Sequence, residues 1–229
     1  MCRSCEFEPL ESRQFLTSTL PIATWALTSR GTLVIRGVEL EGVADAIAVT
    51  RAGDKIRFHA NSSRGLATGE RFSASRVKRV LVETYSGSDR VYIDPQLGRA
   101  VTVFGGAGND RIDGNPGATL IGGGGNDRLY VAARPIFDVI GSEDGGGFTT
   151  LPPASLEGRQ GPALLSGGAG NDTLVATATD SVVGGLGDDR AIQTSPVRFV
   201  TKPADPAAFA REQWGDRATG IEDFDLILT

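Results

Sequence analysis

Apolar and polar residues alternate in short runs between residues 30 and 100. A period of two, with many β-branched side chains, is typical of half-buried β-strands. Gly53 lies between two of the runs and predicts a tight hairpin, and residues 61–69 predict a polar loop. The region is therefore predicted to enter the fold as a short β-meander. The predicted strands are residues 32–38, 46–52, 55–60, 77–83 and 90–94.

From residue 101 the pattern becomes periodic. The apolar runs "VTVF", "ATLI", "ALLS" and "SVV" each lead into a glycine-rich turn, and the turns begin at Gly105, Gly122, Gly167 and Gly184. Within each pair of turns the repeat length is 17 residues. One unit reads as strand, glycine turn, short strand and return turn. Self-similarity at such a period predicts a solenoid, in which each coil buries its apolar side chains by stacking on the next coil.

Each glycine turn carries an aspartate at the same place: Asp110, Asp127, Asp172 and Asp189. Parallel stacking would bring neighbouring carboxylates to about 4.8 Å, where they repel unless a proton or a cation intervenes. Glycine lets the backbone take positive φ angles and turn its carbonyls inward. Carboxylates and carbonyls form an all-oxygen set, which favours Ca²⁺ over Mg²⁺ and over Zn²⁺. The alternative is that the turns only cap strands by hydrogen bonding.

The four turns resemble the G-G-x-G-x-D-x-U-x nonapeptide of the RTX family, also called hemolysin-type calcium-binding repeats. The resemblance implies a parallel β-roll with calcium held between adjacent coils, and Asp110, Asp127, Asp172 and Asp189 as ligands. It also implies backbone ligands from two positions of each turn. Those positions are Gly105, Ala107, Gly122, Gly124, Gly167, Ala169, Gly184 and Leu186.

The chain departs from that family pattern in its spacing. The full family motif recurs every nine residues, whereas here it recurs every 17, so we expect metal along one edge only. Residues 85–93, with Asp89, and residues 137–147, with Asp144, carry degenerate copies of the motif. They are half-sites of the metal file or ordinary polar turns, and both explanations remain. Residues 41–49, with Asp45, look like an eroded repeat.

Composition narrows the class of protein. The chain has 229 residues, of which 40% are hydrophobic, so it can bury a core. Its net charge of −5 argues against nucleic acid as the main partner. Its 31 glycines are clustered, which excludes collagen, and no apolar run is long enough to span a membrane.

The two ends of the chain carry further signals. Residues 5–21 resemble the LEPR-XLL-type N-terminal motif of exported proteins of planctomycete-like bacteria; the alternative is an amphipathic turn packed on the domain. Residues 202–215 predict a short capping helix, docked on the roll through Phe209 and Trp214. The last ten residues resemble a type I secretion signal and also fit a closing strand.

These observations predict an all-β fold: a parallel β-roll preceded by a short β-meander, with one capping helix. The expected parts are an export segment (1–29), an entry region (30–100) and the roll (101–229), with an inserted loop (148–162) and a C-terminal cap (202–229). We find no G-x-S-x-G, H-E-x-x-H or phosphate-loop motif. The expected function is a monomeric, secreted or surface calcium-binding module, structural or adhesive and not an enzyme, whose partner is a surface or matrix polysaccharide or protein. The alternative is a carbohydrate-binding or polysaccharide-cleaving solenoid.

Overall fold

The computed structural model describes residues 23–62, 67–131, 162–177, 179–195, 208, 211–212 and 214–228. Nearly all of them lie in β-strands or in the turns between strands. In chain order the strands are β1 Thr24–Leu27, β2 Thr32–Arg36, β3 Asp45–Ala52, β4 Lys55–Ser62, β5 Ala67–Ser73, β6 Arg79–Glu83, β7 Arg90–Ile93, β8 Ala100–Ala107, β9 Arg111–Gly114, β10 Thr119–Gly124, β11 Arg128–Val131, β12 Leu164–Ala169, β13 Thr173–Ala176, β14 Ser181–Leu186, β15 Arg190–Ser195, β16 Ala218–Thr219 and β17 Asp223–Leu228.

The strands form two sheets that face each other across one core. The first is eight-stranded, with the order β1-β2-β6-β8-β10-β12-β14-β16. The second is nine-stranded, with the order β17-β15-β13-β11-β9-β7-β3-β4-β5. From β6 onward the chain alternates between the two sheets, and neighbours within each sheet are parallel. This is a parallel β-roll, and the predicted fold class is confirmed.

The roll has two kinds of edge. We call the edge where the chain passes from the eight-stranded to the nine-stranded sheet the glycine edge, because the repeated glycine turns lie there. The edge where it passes back is the return edge. Between the edges, apolar side chains of equivalent strands fill the core in continuous rows. The fully buried members include Val103, Leu120, Leu165 and Val182 from one sheet and Ile112, Leu129, Leu174 and Ala191 from the other.

The roll begins earlier than the sequence predicts. Strand β2 pairs with β6 in parallel, and β3 pairs with β7 in parallel, in the same registers that continue through the repeats. Their inward residues, among them Leu33 and Ile47, belong to the same core. The predicted entry region therefore contributes two coils of the roll, and only the antiparallel strands β3, β4 and β5 form a meander.

Two strands in the N-terminal part of the fold were not predicted. Strand β1 lies in the segment that we expected to be poorly ordered, but it pairs antiparallel with β2, and the ring of Trp25 packs at a tilt against that of Phe58 with centroids 5.1 Å apart. Strand β5 begins inside the predicted polar loop 61–69. It is an edge strand with few apolar residues, so its alternation is weak, and it is fixed by pairing with β4 and by the stacking of Phe72 on Phe58 at 6.2 Å.

The insertion and the cap leave the stack continuous. Strands β10 and β11 pair directly with β12 and β13, so no further coil lies between them. The loop 148–162 falls almost entirely outside the described residues.

In the C-terminal cap, Ala208, Arg211, Glu212 and Trp214 are helical, whereas Phe209 lies outside the described residues. Trp214 is buried, its ring centroid is 5.9 Å from that of Phe224, and its Nε1 donates to the Thr177 carbonyl at 2.9 Å.

The chain ends in β17, which pairs in parallel with β15, as the closing-strand interpretation predicts. Across the described residues, no helix is long and apolar enough to cross a membrane.

Candidate metal centre

A row of carboxylates runs along the glycine edge, one from each coil. We call it the aspartate row. Each backbone N–H in the row donates to Oδ1 of the aspartate on the next coil. The distances are 2.8 Å from Asp89 to Asp110, 2.8 Å from Asp110 to Asp127, 2.7 Å from Asp127 to Asp172 and 2.9 Å from Asp172 to Asp189. The row includes the four aspartates predicted from the repeats, and it includes Asp89 from the degenerate turn.

The second oxygen of each of these five carboxylates lacks a partner. These side chains are at most 2% exposed, and the Oδ2 atoms of Asp89, Asp110, Asp127, Asp172 and Asp189 are buried without a hydrogen bond. Leaving a buried charged oxygen unpaired is strongly unfavourable. A row of equivalent orphaned oxygens therefore points to a ligand that all the coils share. Among the described residues, the other buried side-chain oxygens without partners belong to Asp113, Asn115 and Gln193, outside this row.

The first glycine of each turn makes room for this oxygen. A Cβ atom on Gly122 would collide with Oδ2 of Asp127 and would lie 2.7 Å from the carbonyl oxygen of Gly167 on the next coil. Equivalent pairs face the other two glycines: Oδ2 of Asp110 and the Gly122 carbonyl at Gly105, and Oδ2 of Asp172 and the Gly184 carbonyl at Gly167. A carboxylate oxygen and a carbonyl oxygen thus converge where a side chain would otherwise stand.

The fourth turn repeats this arrangement with a residue that is outside the repeats. At Gly184, the converging atoms are Oδ2 of Asp189 and the carbonyl oxygen of Gly220. The backbone N–H of Asp189 donates to Oε2 of Glu222 at 2.8 Å, so Glu222 stands where the next aspartate would stand. Residues 220–222 therefore complete the row at its C-terminal end. Sequence reasoning missed them because they lack the repeated glycine pair.

At the N-terminal end of the row, backbone N–H groups donate to the carboxylate oxygens. The N–H of Asp45 donates to Oδ1 of Asp89 at 2.7 Å, which makes Asp45 a further member of the row. Its own Oδ2 accepts from the N–H of Val38 at 2.6 Å. In the next coil Thr84 replaces the first glycine, and its hydroxyl donates to the Gly105 carbonyl at 2.7 Å. The glycine-lined part of the row therefore runs from Asp110 to Asp189.

The return edge provides an internal comparison. The two oxygens of Asp94 accept from the N–H groups of Arg51 at 2.9 Å and of Gln96 at 2.8 Å. Those of Asp180 accept from the N–H groups of Ala163 and Thr177, both at 2.8 Å. The carboxylates of Asp94 and Asp180 are satisfied by the protein alone. Asp94 and Asp180 therefore lack the unpaired carboxylate oxygens that characterise the aspartate row, and metal along one edge only stays a prediction.

The other backbone carbonyls that the sequence predicts as metal ligands already accept a hydrogen bond. The carbonyls of Ala107, Gly124, Ala169 and Leu186 each accept an N–H from the preceding coil, at 2.6 to 2.8 Å. A carbonyl oxygen has two lone pairs, so this bond leaves one for a metal. The carbonyl oxygens of Gly122, Gly167 and Gly184 each lie 2.7 Å from the Cβ position of the first glycine on the preceding coil, where the orphaned carboxylate oxygen also lies. Asp144 lies outside the described residues, and the coil next to Asp127 is the coil of Asp172.

Burial sets the charge state of the row in the absence of a cation. Desolvation raises the pKa of Asp89 and of Asp127 to about 7 and that of Asp110 to about 6. Desolvation also raises the pKa of Asp172 and of Asp189, and neighbouring carboxylates in the row raise it further. A cation bound to the row would reverse these shifts, because it stabilises the ionised form.

A second ladder lies beside the aspartate row at the surface. Oδ1 of Asn109 accepts from the N–H of Asn126 at 2.7 Å, Oδ1 of Asn126 from the N–H of Asn171 at 2.8 Å, and Oδ1 of Asn171 from the N–H of Asp188 at 3.1 Å. The repeated "ND" pair in the sequence was the signal for this ladder. Together the ladders fix the spacing of the glycine turns independently of any ligand.

The donor set suits a hard cation. The converging atoms are carboxylate and carbonyl oxygens, and His59 lies away from them on β4. No group of three or more histidine, cysteine, aspartate or glutamate side chains forms a metal cluster within the described part of the chain. One carboxylate from each coil must therefore be supplemented by backbone oxygens, which Ca²⁺ accepts readily because its coordination is flexible.

The fold and this edge define a parallel β-roll with calcium-binding turns. Comparison with protein families identifies the repeats. Residues 100–118, 119–133 and 157–191 match the RTX calcium-binding nonapeptide repeat, in four copies. The chain thus carries RTX repeats, which bind calcium ions, as the resemblance of its turns indicates. A search of curated proteins finds no match, and a search of solved structures finds none.

Proposed function

We propose that this chain is a secreted or cell-surface module whose β-roll is stabilised by a single file of calcium ions on the glycine edge. The observation that carries the proposal is the row of buried, unpaired Oδ2 atoms beside side-chain-free glycines. The proposed ligands are these oxygens of Asp110, Asp127, Asp172 and Asp189, with carbonyls of the adjacent glycine turns. Asp89 contributes only a half-site, because the Thr84 hydroxyl already donates a hydrogen bond to the neighbouring Gly105 carbonyl.

Calcium would act on folding rather than on a reaction. Each ion neutralises carboxylates from adjacent coils and so removes their desolvation and repulsion costs. The module would remain less stable where calcium is scarce and would gain stability in an extracellular medium. We infer a structural or adhesive role, because the aspartates gathered at this edge are committed to holding the turns and the metal. Extracellular calcium modules typically bind at about 10⁻⁴ to 10⁻³ M.

Thermal unfolding followed by circular dichroism tests this proposal. The melting temperature should rise steeply on titration of Ca²⁺ into EDTA-treated protein, and Mg²⁺ at the same concentration should have a small effect, because it demands strict octahedral geometry. Equal melting temperatures in EDTA and in calcium would mean that the glycine turns are only corners of the roll.

A further inference from the structure

The outward face of the nine-stranded sheet carries a row of arginines. Arg90, Arg111 and Arg128 occupy equivalent positions on β7, β9 and β11, in direct register. We call these three residues the arginine row. Successive members are one strand spacing apart, about 4.8 Å, so the row crosses the strands and runs along the axis of the roll.

Like charges directly opposite each other on neighbouring strands are destabilising. Arg111 is held by two contacts: its Nε is 3.2 Å from Oδ2 of Asp113, and its guanidinium carbon is 5.1 Å from the centre of the Tyr130 ring. Arg90 and Arg128 are exposed on either side of it, and neither forms an ion pair with another described residue. The row therefore keeps a repulsive arrangement that the protein itself only partly neutralises.

Tyrosines accompany the arginines. Tyr92 and Tyr130 lie two positions further along β7 and β11, on the same outward face, and both are partly exposed. An aromatic ring beside a guanidinium group offers an apolar surface next to a donor for carboxylate groups. The row ends at Thr173, the equivalent position on β13, and beyond it Arg190 is 3.4 Å from Asp223.

We propose that the arginine row binds a linear acidic polysaccharide, whose sugar carboxylates are bound by the exposed guanidinium groups and whose rings lie against the tyrosines. Charge complementarity favours this occupant, because a row of regularly spaced cations matches a polymer with regularly spaced carboxylates. Arg90 and Arg128 are two strand spacings apart, about 10 Å, a length comparable with a disaccharide unit. Nucleic acid is disfavoured by spacing, because its phosphates recur about every 3.4 Å along a strand, whereas the two exposed guanidinium groups are about 10 Å apart.

This inference deepens the adhesive role proposed above. The test uses the full chain in saturating calcium, with its fold verified by circular dichroism, so that a failure to bind polysaccharide is distinguishable from a failure of calcium-dependent folding. The probe is a glucuronate-containing oligosaccharide, a hyaluronan fragment, and the controls are a neutral maltooligosaccharide of the same length and an oligothymidylate. Binding is measured by isothermal titration calorimetry.

The variants are a matched pair with the same change in charge. R90Q/R128Q removes the exposed members of the arginine row, and R76Q/R79Q removes two exposed arginines near or on β6, in the other sheet. The acidic oligosaccharide should bind, R90Q/R128Q should weaken it at least about tenfold, and R76Q/R79Q should leave it within about twofold. Equal losses in both variants, tighter binding of oligothymidylate, or no binding of the acidic oligosaccharide would each overturn the proposal.

Discussion

The backbone N–H of Asp110 donates to Oδ1 of Asp127 at 2.8 Å, while Oδ2 of Asp127 is buried without a partner. One carboxylate thus performs two tasks. Its first oxygen locks the register of adjacent coils whether or not a metal is bound. Its second oxygen is available to a cation. When the cation is absent, this buried, unpaired oxygen destabilises the folded protein. The following predictions separate the two tasks.

Gly122→Ala should impair calcium binding and lower stability. A Cβ at this position would meet Oδ2 of Asp127 and the Gly167 carbonyl, so the turn must shift. Crowding of this kind typically costs about 1–3 kcal/mol. Gly124→Ala is the matched control in the same turn, because a Cβ there would meet nothing within 4 Å. Urea unfolding with and without calcium measures both variants; equal effects would contradict the steric role of Gly122.

Asp127→Asn should blunt the calcium response yet leave the metal-free protein as stable as the parent or more so. Asparagine keeps an acceptor for the N–H of Asp110 and removes a buried charge, and its amide N–H₂ group would face the Gly167 carbonyl, which can accept from it. Asp180→Asn provides the contrast, because both oxygens of Asp180 accept hydrogen bonds and an amide N–H₂ group would leave a donor unmatched. That variant should lose about 1–3 kcal/mol in EDTA and in calcium alike. Thermal melting in both media distinguishes them, and a normal calcium response in Asp127→Asn would refute its role as a ligand.

The stability of the metal-free protein should fall as pH rises. Burial raises the folded-state pKa of Asp89 and of Asp127 to about 7 and that of Asp110 to about 6, whereas an unfolded aspartate has a pKa near 4. The folded chain therefore binds more protons than the unfolded chain between about pH 4 and pH 7, and this contribution to stability is full below pH 4 and lost as pH rises through 6 and 7.

The calcium-loaded protein should show the opposite trend, because calcium binds the ionised carboxylates and competes with protons. Urea unfolding from pH 4 to pH 8, in EDTA and in saturating calcium, measures both curves. A metal-free stability that rises over this range would show that the row is not the dominant titrating group.

Trp214→Phe should destabilise the roll from its C-terminal end. Trp214 is 1% exposed, and the substitution removes the hydrogen bond from Nε1 to the Thr177 carbonyl, at an expected cost of about 1–3 kcal/mol. Trp25→Phe is the control, because Trp25 is 39% exposed and should cost little. Thermal unfolding with calcium present compares the two, and a neutral Trp214→Phe would mean that the cap is dispensable for stability.

The repeats made the core of this fold predictable from sequence. The apolar runs before each glycine turn and the residue two positions after each aspartate, such as Ile112 and Leu129, are the buried rows of the two sheets. The period also placed the four repeat aspartates in one row. These features are local and repeated, so the sequence displays them directly.

The parts that were missed depend on contacts between distant segments. The sequence marked Asp45 only as part of an eroded repeat, yet it joins the row although its coil has no glycine pair, and Glu222 ends the row from outside the repeats. Each is identified only by the coil that it stacks on. Strand β5 is polar and exists through its pairing with β4. The arginine row likewise becomes visible only when the register of β7, β9 and β11 is known.

A crystal structure of the protein grown in calcium, with the anomalous signal of the bound ions, tests the central claim most directly. The account predicts ions in a single file along the glycine edge, each beside Oδ2 of an aspartate from Asp110 to Asp189, and none at the carboxylates of Asp94 and Asp180. A glycine edge without ions in crystals grown in saturating calcium, or ions at the return edge instead, would contradict it.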